Sequence, residues 1–259
     1  MALTIVAPPE RTPLAGGLFS VLTFPDSNAR WEMGVTYPGQ TCGILPVAAG
    51  PGCTPEEQEE PDGWPLNLDR EQPWGSADDT FNVHGSFVCN PVGTTLAEAE
   101  QFAVADLQRH EEATVEDRLW TQHLATAPAI EGVTEPVKLK HAIGILEQYI
   151  GRNYGVQGVI HLPRWLAPSV DTAQRGGRIT TETLGTPIVA GSGYGTAGET
   201  ATIVATPAMV GYRTAAEVVG DLADTFDRST NKLQVLAQRT YLIGFDTCPP
   251  VSITVDPHL

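Results

Sequence analysis

The 259 residues carry 15 basic against 31 acidic side chains, a formal net charge of −16, which excludes a protein that grips phosphate backbones through cationic contacts. At 41% hydrophobic the chain can bury a core sufficient for one large domain or two intimate lobes. No stretch nears the roughly 18 apolar residues of a membrane span, and residues 1–10 lack the basic start and apolar block of a secretory signal, so synthesis in a cytoplasm is expected.

The first third reads as extended polypeptide, because twelve prolines between Met1 and Pro91 leave little room for a helix. Residues 30–44 and 80–89 are predicted as two strands of a long arm. Between them, residues 56–79 hold nine carboxylates against one cation, Arg70, as a solvated tip would. Trp64 and Trp74 in that tip need a surface to bury against.

The pattern changes at Thr95. Thr95-x-x-Glu98 has the form of a capping box, and residues 96–120 contain no Pro or Gly, which predicts a long helix. Leu96, Ala99, Ala103 and Leu107 recur at helical spacing as its packing face. Glu98, Asp106, Gln108, Arg109, Glu111 and Glu112 are assigned to the face toward water or a neighbour. A second helix is predicted over 137–153, with Ile143, Leu146 and Ile150 apolar and Gly155 as its stop. A strand over 157–162 and a brief helix to 170 follow. Gly176 and Gly177 mark a turn, and 178–183 and 187–190 read as paired strands around the Leu184-Gly185-Thr186-Pro187 corner. Further strands are expected at 201–205, 209–213, 233–243 and 252–255, giving an α+β lobe behind the arm.

Motifs for chemistry are absent. The glycine-rich run from Gly191 to Gly198 could cradle an anion on its amides, but it lacks the Lys-Ser/Thr ending of a nucleotide loop and leads into a β-branched stretch, so it reads as a surface turn. Ser192 does not sit in Gly-x-Ser-x-Gly. His84, His110, His123, His141, His161 and His258 include no His-x-x-x-His pair or other metal spacing. No catalytic, cofactor-binding or metal residue is assigned, no cofactor is expected, and the chain does not read as an enzyme. Cys42, Cys53, Cys89 and Cys248 contain no Cys-x-x-Cys pair and are expected to be mainly reduced. Cys42 and Cys53 could close a short loop, a bond that would contribute ~3 kcal/mol.

The order of parts resembles the major capsid proteins of tailed phages, the Hong Kong 97 capsid fold. The similarity rests on the long helix ending in Val115-Glu116-Asp117-Arg118-Leu119-Trp120 and on Val159-Ile160-His161-Leu162-Pro163-Arg164 followed by Leu184-Gly185-Thr186-Pro187-Ile188-Val189. The late strand over 231–240, with Gln238-Arg239, adds to it. The resemblance implies an N-terminal arm over 1–30, an extended β-hairpin loop over 31–93, and a peripheral domain with the spine helix over 94–130. An axial domain, plus strands returning to the peripheral one, would take 131–259. It implies self-assembly, as hexamers and pentamers, into an icosahedral virion head shell built in the host bacterial cytoplasm. The shell would enclose double-stranded DNA without sequence-specific binding, with a portal and scaffold or decoration proteins as partners and no membrane. An encapsulin-like compartment, a connector or tail-tube subunit, and an acidic α+β hydrolase are the alternatives. Some relatives weld subunits through a lysine on the extended loop. The lysines here are Lys138, Lys140 and Lys232, all outside it, so no such crosslink is expected.

A protruding arm exposes backbone edges and apolar side chains that neighbours must cover. Trp31, Tyr37, Trp64, Trp74, Phe81 and Phe87 are the candidate inter-subunit contacts, about half of which should pack within their own subunit.

Overall fold

A computed structural model describes residues 14–25, 31–38, 42–43, 71–76, 80–90, 93–175, 177–181, 183–219, 226–227, 229–246 and 248–258. In chain order its elements are β1 (Gly34–Pro38), β2 (Glu71–Ser76), β3 (Phe81–Cys89), α1 (Leu96–Leu119), α2 (Leu139–Tyr149), β4 (Val159–Pro163), β5 (Thr172–Arg175), β6 (Arg178–Thr181) and β7 (Pro187–Gly191). Then follow β8 (Ala201–Thr206), β9 (Met209–Arg213), β10 (Glu217–Val219), β11 (Phe226–Asp227), β12 (Lys232–Phe245) and β13 (Val251–Val255).

Helix α1 starts where its capping box requires. The Thr95 N–H donates to Glu98 Oε2 at 2.8 Å and the Glu98 N–H to Thr95 Oγ1 at 3.3 Å, so amides without intrahelical partners are satisfied from both sides. Its buried stripe runs Ala99, Ala103, Leu107, Glu111, Val115, Leu119, a four-residue step, with Glu116 alongside. The small residues Ala99 and Ala103 let β3 lie close against the helix. At Gly85, in mid-strand, an added Cβ would overlap Leu107 N and stand 2.7 Å from Leu107 Cα and 2.8 Å from Ala103 O. Glycine is there because helix backbone fills the space a side chain needs.

The fourteen-residue β12 is the axis of a five-stranded sheet. Along one edge it pairs antiparallel with β3, from Leu233 opposite Cys89 to Tyr241 opposite Phe81. Its other edge takes β11, β10 and β9 in succession, all antiparallel. Val83, Leu107, Val115, Val235, Ala237 and Tyr241 close the core between this sheet and α1, and Leu18 and Val21 of the N-terminal segment join it. The second sheet has the order β13-β8-β4-β7-β6-β5, with β4 and β7 parallel and the other pairs antiparallel. Every residue of β4 and β7 is buried, as central strands covered on both faces must be. Leu139, Ala142 and Leu146 of α2 pack with Ile160, Leu162, Ile188 and Ile253 as a second core. Gly155 ends the α2 region at φ 67°, a left-handed conformation that only glycine adopts without cost.

Three expectations change. The strand returning from β1 is β2, with Val35 opposite Trp74, not the segment at 80–89. Segment 80–89 is β3, drawn into the five-stranded sheet because Phe81, Val83 and Phe87 find cover on α1 and β12 of the same chain. Part of the region ahead of the long helix is therefore folded on its own molecule, including Leu18, which is fully buried. Cys42 is bonded to Cys248 instead of being reduced or joined to Cys53, with their Cα atoms 5.6 Å apart. Residues 1–13, most of the acidic tip, Cys53 and Trp64 lie outside the described residues.

Candidate functional site

The most heavily engaged polar groups sit on one stretch of α1. Glu116 is 1% exposed; its Oε1 accepts the Leu18 N–H at 2.9 Å, and its Oε2 accepts the N–H groups of Ser192 at 2.7 Å and Gly193 at 3.1 Å. Glu112, one turn earlier, accepts the Phe19 N–H at 2.8 Å. Burial pushes both carboxyls above their ordinary pKa. Backbone donors oppose it, Arg164 also opposes it at Glu112, and the Glu112 charge adds to the rise at Glu116. Glu111 meets Arg239 Nη1 at 2.7 Å and accepts the Tyr241 hydroxyl at 2.8 Å, while burial first of all pushes that phenol up to about 12.

The glycine-rich run does hold an anion on its amides, and the anion is the chain's own Glu116 carboxylate. The run is the surface turn expected at Ser192 and residues 195–198, which are exposed, but not at Tyr194, which is fully buried and stacks on Trp120 at 5.2 Å. At Gly193 a Cβ would overlap Ala113 O and Asp117 N of α1. Glu111 and Glu112 likewise do not form a solvated face: Glu111 is buried and Glu112 half-buried. The signal for Glu111 was in the spacing, because Ala99, Ala103, Leu107, Glu111, Val115 and Leu119 step by four.

Two further polar groups, one buried and one half-buried, are held by hydroxyls of the same chain. His161 is fully buried with Nδ1 2.9 Å from the Tyr194 hydroxyl and Nε2 2.9 Å from Thr206 Oγ1. Glu147 accepts the hydroxyls of Thr181 at 3.1 Å and Thr186 at 2.7 Å. Glu112 and Glu116 are engaged by donors that the fold fixes, so together they bracket the N-terminal segment, α1 and the 191–194 loop. Among the described residues no group of three His, Cys, Asp or Glu side chains is arranged to hold a metal ion, and no described helix is long and apolar enough to cross a membrane.

The candidate contact residues separate. Trp31 is 6% exposed and stacks on Tyr212 of its own chain at 5.8 Å. Phe81 and Phe87 are part-buried: Phe81 stacks on Tyr241 at 5.9 Å with the Arg118 guanidinium 6.0 Å from its ring centre, and Phe87 lies 4.8 Å from Phe102. Tyr37 falls on β1 and Trp74 on β2, one strand on each side of the hairpin. Open sheet edges lie on the same strands and on β5. Among the described strands β1 and β2 pair only with each other, β3 only with β12, and β5 only with β6. Exposed apolar side chains accompany them, with Val88 on β3, Val218 and Val219 on β10, and Leu184 at the corner before β7. Asp106 accepts the Ser86 N–H at 3.2 Å and so blunts one point of the β3 edge.

No family model matches the sequence, and neither does any curated protein. Solved structures do match along the whole chain. The capsid of an empty GTA particle superposes with a TM-score of 0.59 at 10% identity, covering 99% of this chain and 95% of that one. A chain of Gordonia phage Cozz gives 0.55 at 12% identity (99% and 91% covered), and one of Microbacterium phage Oxtober96 gives 0.54 at 11% (99% and 96% covered). The chain has the mixed helix and sheet fold of phage capsid subunits, as the sequence resemblance implied.

Proposed function

We propose that this chain is a major capsid protein, a structural subunit that joins copies of itself into the closed icosahedral shell of a tailed-phage head. The observation that carries the reading is the fold it shares with the GTA capsid chain over 99% of its length. Its open edges suit the role. An isolated two-stranded hairpin such as β1–β2 is marginal in water, and the unpaired edge of β3 and the exposed Val88, Val218 and Val219 gain most from a neighbouring copy. Several interfaces of the order of 2,000 Å² around each subunit would offset the ordering of such an arm. On this reading the hairpin belongs to the extended loop, α1 is the spine helix of the peripheral domain, and the second core is the axial domain. Tyr37, Trp64 and Trp74, with what Phe81 and Phe87 leave exposed, supply contacts to neighbours. Copies in hexamers and pentamers are the main partners, with a portal and scaffold or decoration proteins beside them. A net charge of −16 suits a lining that does not trap packaged DNA.

Negative-stain electron microscopy of the purified full-length chain tests the proposal. Closed polyhedral particles are expected. Rings or tubes alone would indicate a connector or tail-tube subunit, and a protein that stays monomeric at all concentrations would end the shell reading.

A further inference from the structure

We propose that Cys42 and Cys248 form a fastening that closes only after the chain has folded, in which Cys42 meets the oxidant and Cys248 completes the bond from the buried side. The two are separated by 206 residues, whereas Cys53 lies within the same short stretch as Cys42. In an unfolded chain loop-closure entropy favours the nearby partner, so the distant pairing depends on the fold to bring the sulfurs together. Hydrogen bonds that involve neither sulfur hold both flanks. The Gly43 N–H donates to Asn153 O at 2.8 Å, and the single proton of the Tyr154 hydroxyl is shared between Pro249 O at 2.9 Å and Ala205 O at 3.1 Å. Contacts other than the bond thus hold the two cysteines side by side.

The two residues differ in access. Cys42 is exposed, while Cys248 is 4% exposed in the second core with its sulfur 4.0 Å from the Asn153 carbonyl oxygen. With a low-molecular-weight disulfide such as oxidised glutathione as the oxidant, the Cys42 thiolate attacks one of its sulfurs, forms a mixed disulfide and releases one thiolate, which takes up the proton Cys42 has lost. Cys248 then gives its proton to solvent and attacks Cys42 Sγ. This expels the second small thiol, so two protein thiols are oxidised as one small disulfide is reduced to two thiols. Reduction runs against the same asymmetry. An outside thiolate attacking Cys42 must expel Cys248 as a thiolate into apolar surroundings beside a carbonyl, both of which disfavour the charge, and Cys248 can re-attack at once. On the shell reading, on which only this last step rests, the chain folds as a dithiol in a reducing cytoplasm and fastens when the particle meets oxidising surroundings.

The test uses the full-length chain, purified reduced and unassembled, treated with oxidised glutathione and mapped by non-reducing peptide mass spectrometry. The wild type and a Cys53→Ala/Cys89→Ala variant should both give the Cys42–Cys248 peptide. Reduced glutathione should open the bond at least ~100-fold more slowly in the native chain than in the same chain held in denaturant. Cys42 joined to Cys53, or Cys42 and Cys248 both free after oxidation, overturns the pairing; equal rates of reduction overturn the shielding. Because no shell is needed, failure to see particles would sink the capsid reading and leave this result standing.

Discussion

His161 is fully buried on β4 between two hydroxyls, and burial holds its imidazole down at about 3, far under the ordinary 6.5. Folded chains thus bind fewer protons at this site than unfolded ones between those two values. The stability it contributes is whole above pH 6.5 and is lost as the pH falls toward 3. Between pH 7 and 5 this one group should cost about 2 kcal/mol. His161→Gln keeps a donor and an acceptor but does not titrate, so it should be less stable than wild type at pH 7 by ~1–3 kcal/mol and close part of that gap at pH 5. Denaturant midpoints of both proteins at the two pH values measure this; a gap that does not change with pH refutes it. Glu112 and Glu116 act with the opposite sign. Their raised values mean that stability is fully present below the ordinary carboxyl value of 4.5 and declines as the pH rises through the folded one. These groups were only half legible in the sequence. The four-residue step contained the inward position of Glu111, which its charge led us to assign to the face toward water, and nothing local to Glu116 announces that its partners are the amides of Leu18, Ser192 and Gly193, 98, 76 and 77 residues away.

Within elements, the contrast between Thr95 and Gly85 separates what local sequence encodes from what packing imposes. Thr95→Ala removes the oxygen that receives the Glu98 N–H and should cost ~1 kcal/mol. Gly85→Ala should raise strand propensity yet cost more, ~3 kcal/mol, because the new Cβ meets the backbone of α1, which cannot swing aside as a side chain would. Thermal or denaturant midpoints of the two variants decide it; Gly85→Ala as stable as wild type would show that the strand does not cross the helix where it is placed. The same distinction explains what could be read in advance. The ends of α1, the stop at Gly155, the β6–β7 pair and the late strands follow from capping, spacing and β-branching, all local signals. The partner of β1 is not local: residues 34–38 and 71–76 are separated by a long interval, and β3 competes with β2 for the role because both are extended. What decides is the buried alternation of Phe81, Val83 and Phe87, which needs the surface that α1 and β12 provide. Thr172–Arg175, Glu217–Val219 and Phe226–Asp227 are short strands held by their neighbours, with too few apolar residues to announce themselves.

At the scale of the whole molecule, the fold follows from how each sheet gathers strands from distant parts of the chain, and on the proposed function the charge governs how copies meet. β12 unites the N-terminal β3 with the C-terminal β9–β11 region, while β13 closes the second sheet against β8, so neither sheet is complete until most of the chain is present. Each finished subunit carries −16, and copies placed side by side repel through water. Screening shortens that repulsion from about 10 Å at 0.1 M salt to about 3 Å at 1 M, whereas the apolar contacts that would close a shell on the proposed function are not weakened. The concentration needed for assembly should therefore fall by roughly an order of magnitude as sodium chloride rises from about 0.05 M to about 0.5 M, and divalent cations should act at lower concentration. Light scattering across such a series measures it directly. If instead added salt raises the threshold, attraction between opposite charges must drive the contacts. With only 15 cations among 31 anions, those cations would then have to be concentrated at the interfaces, and charge-reversal of Arg152 or Lys232, both on the surface, would be the next substitution to make.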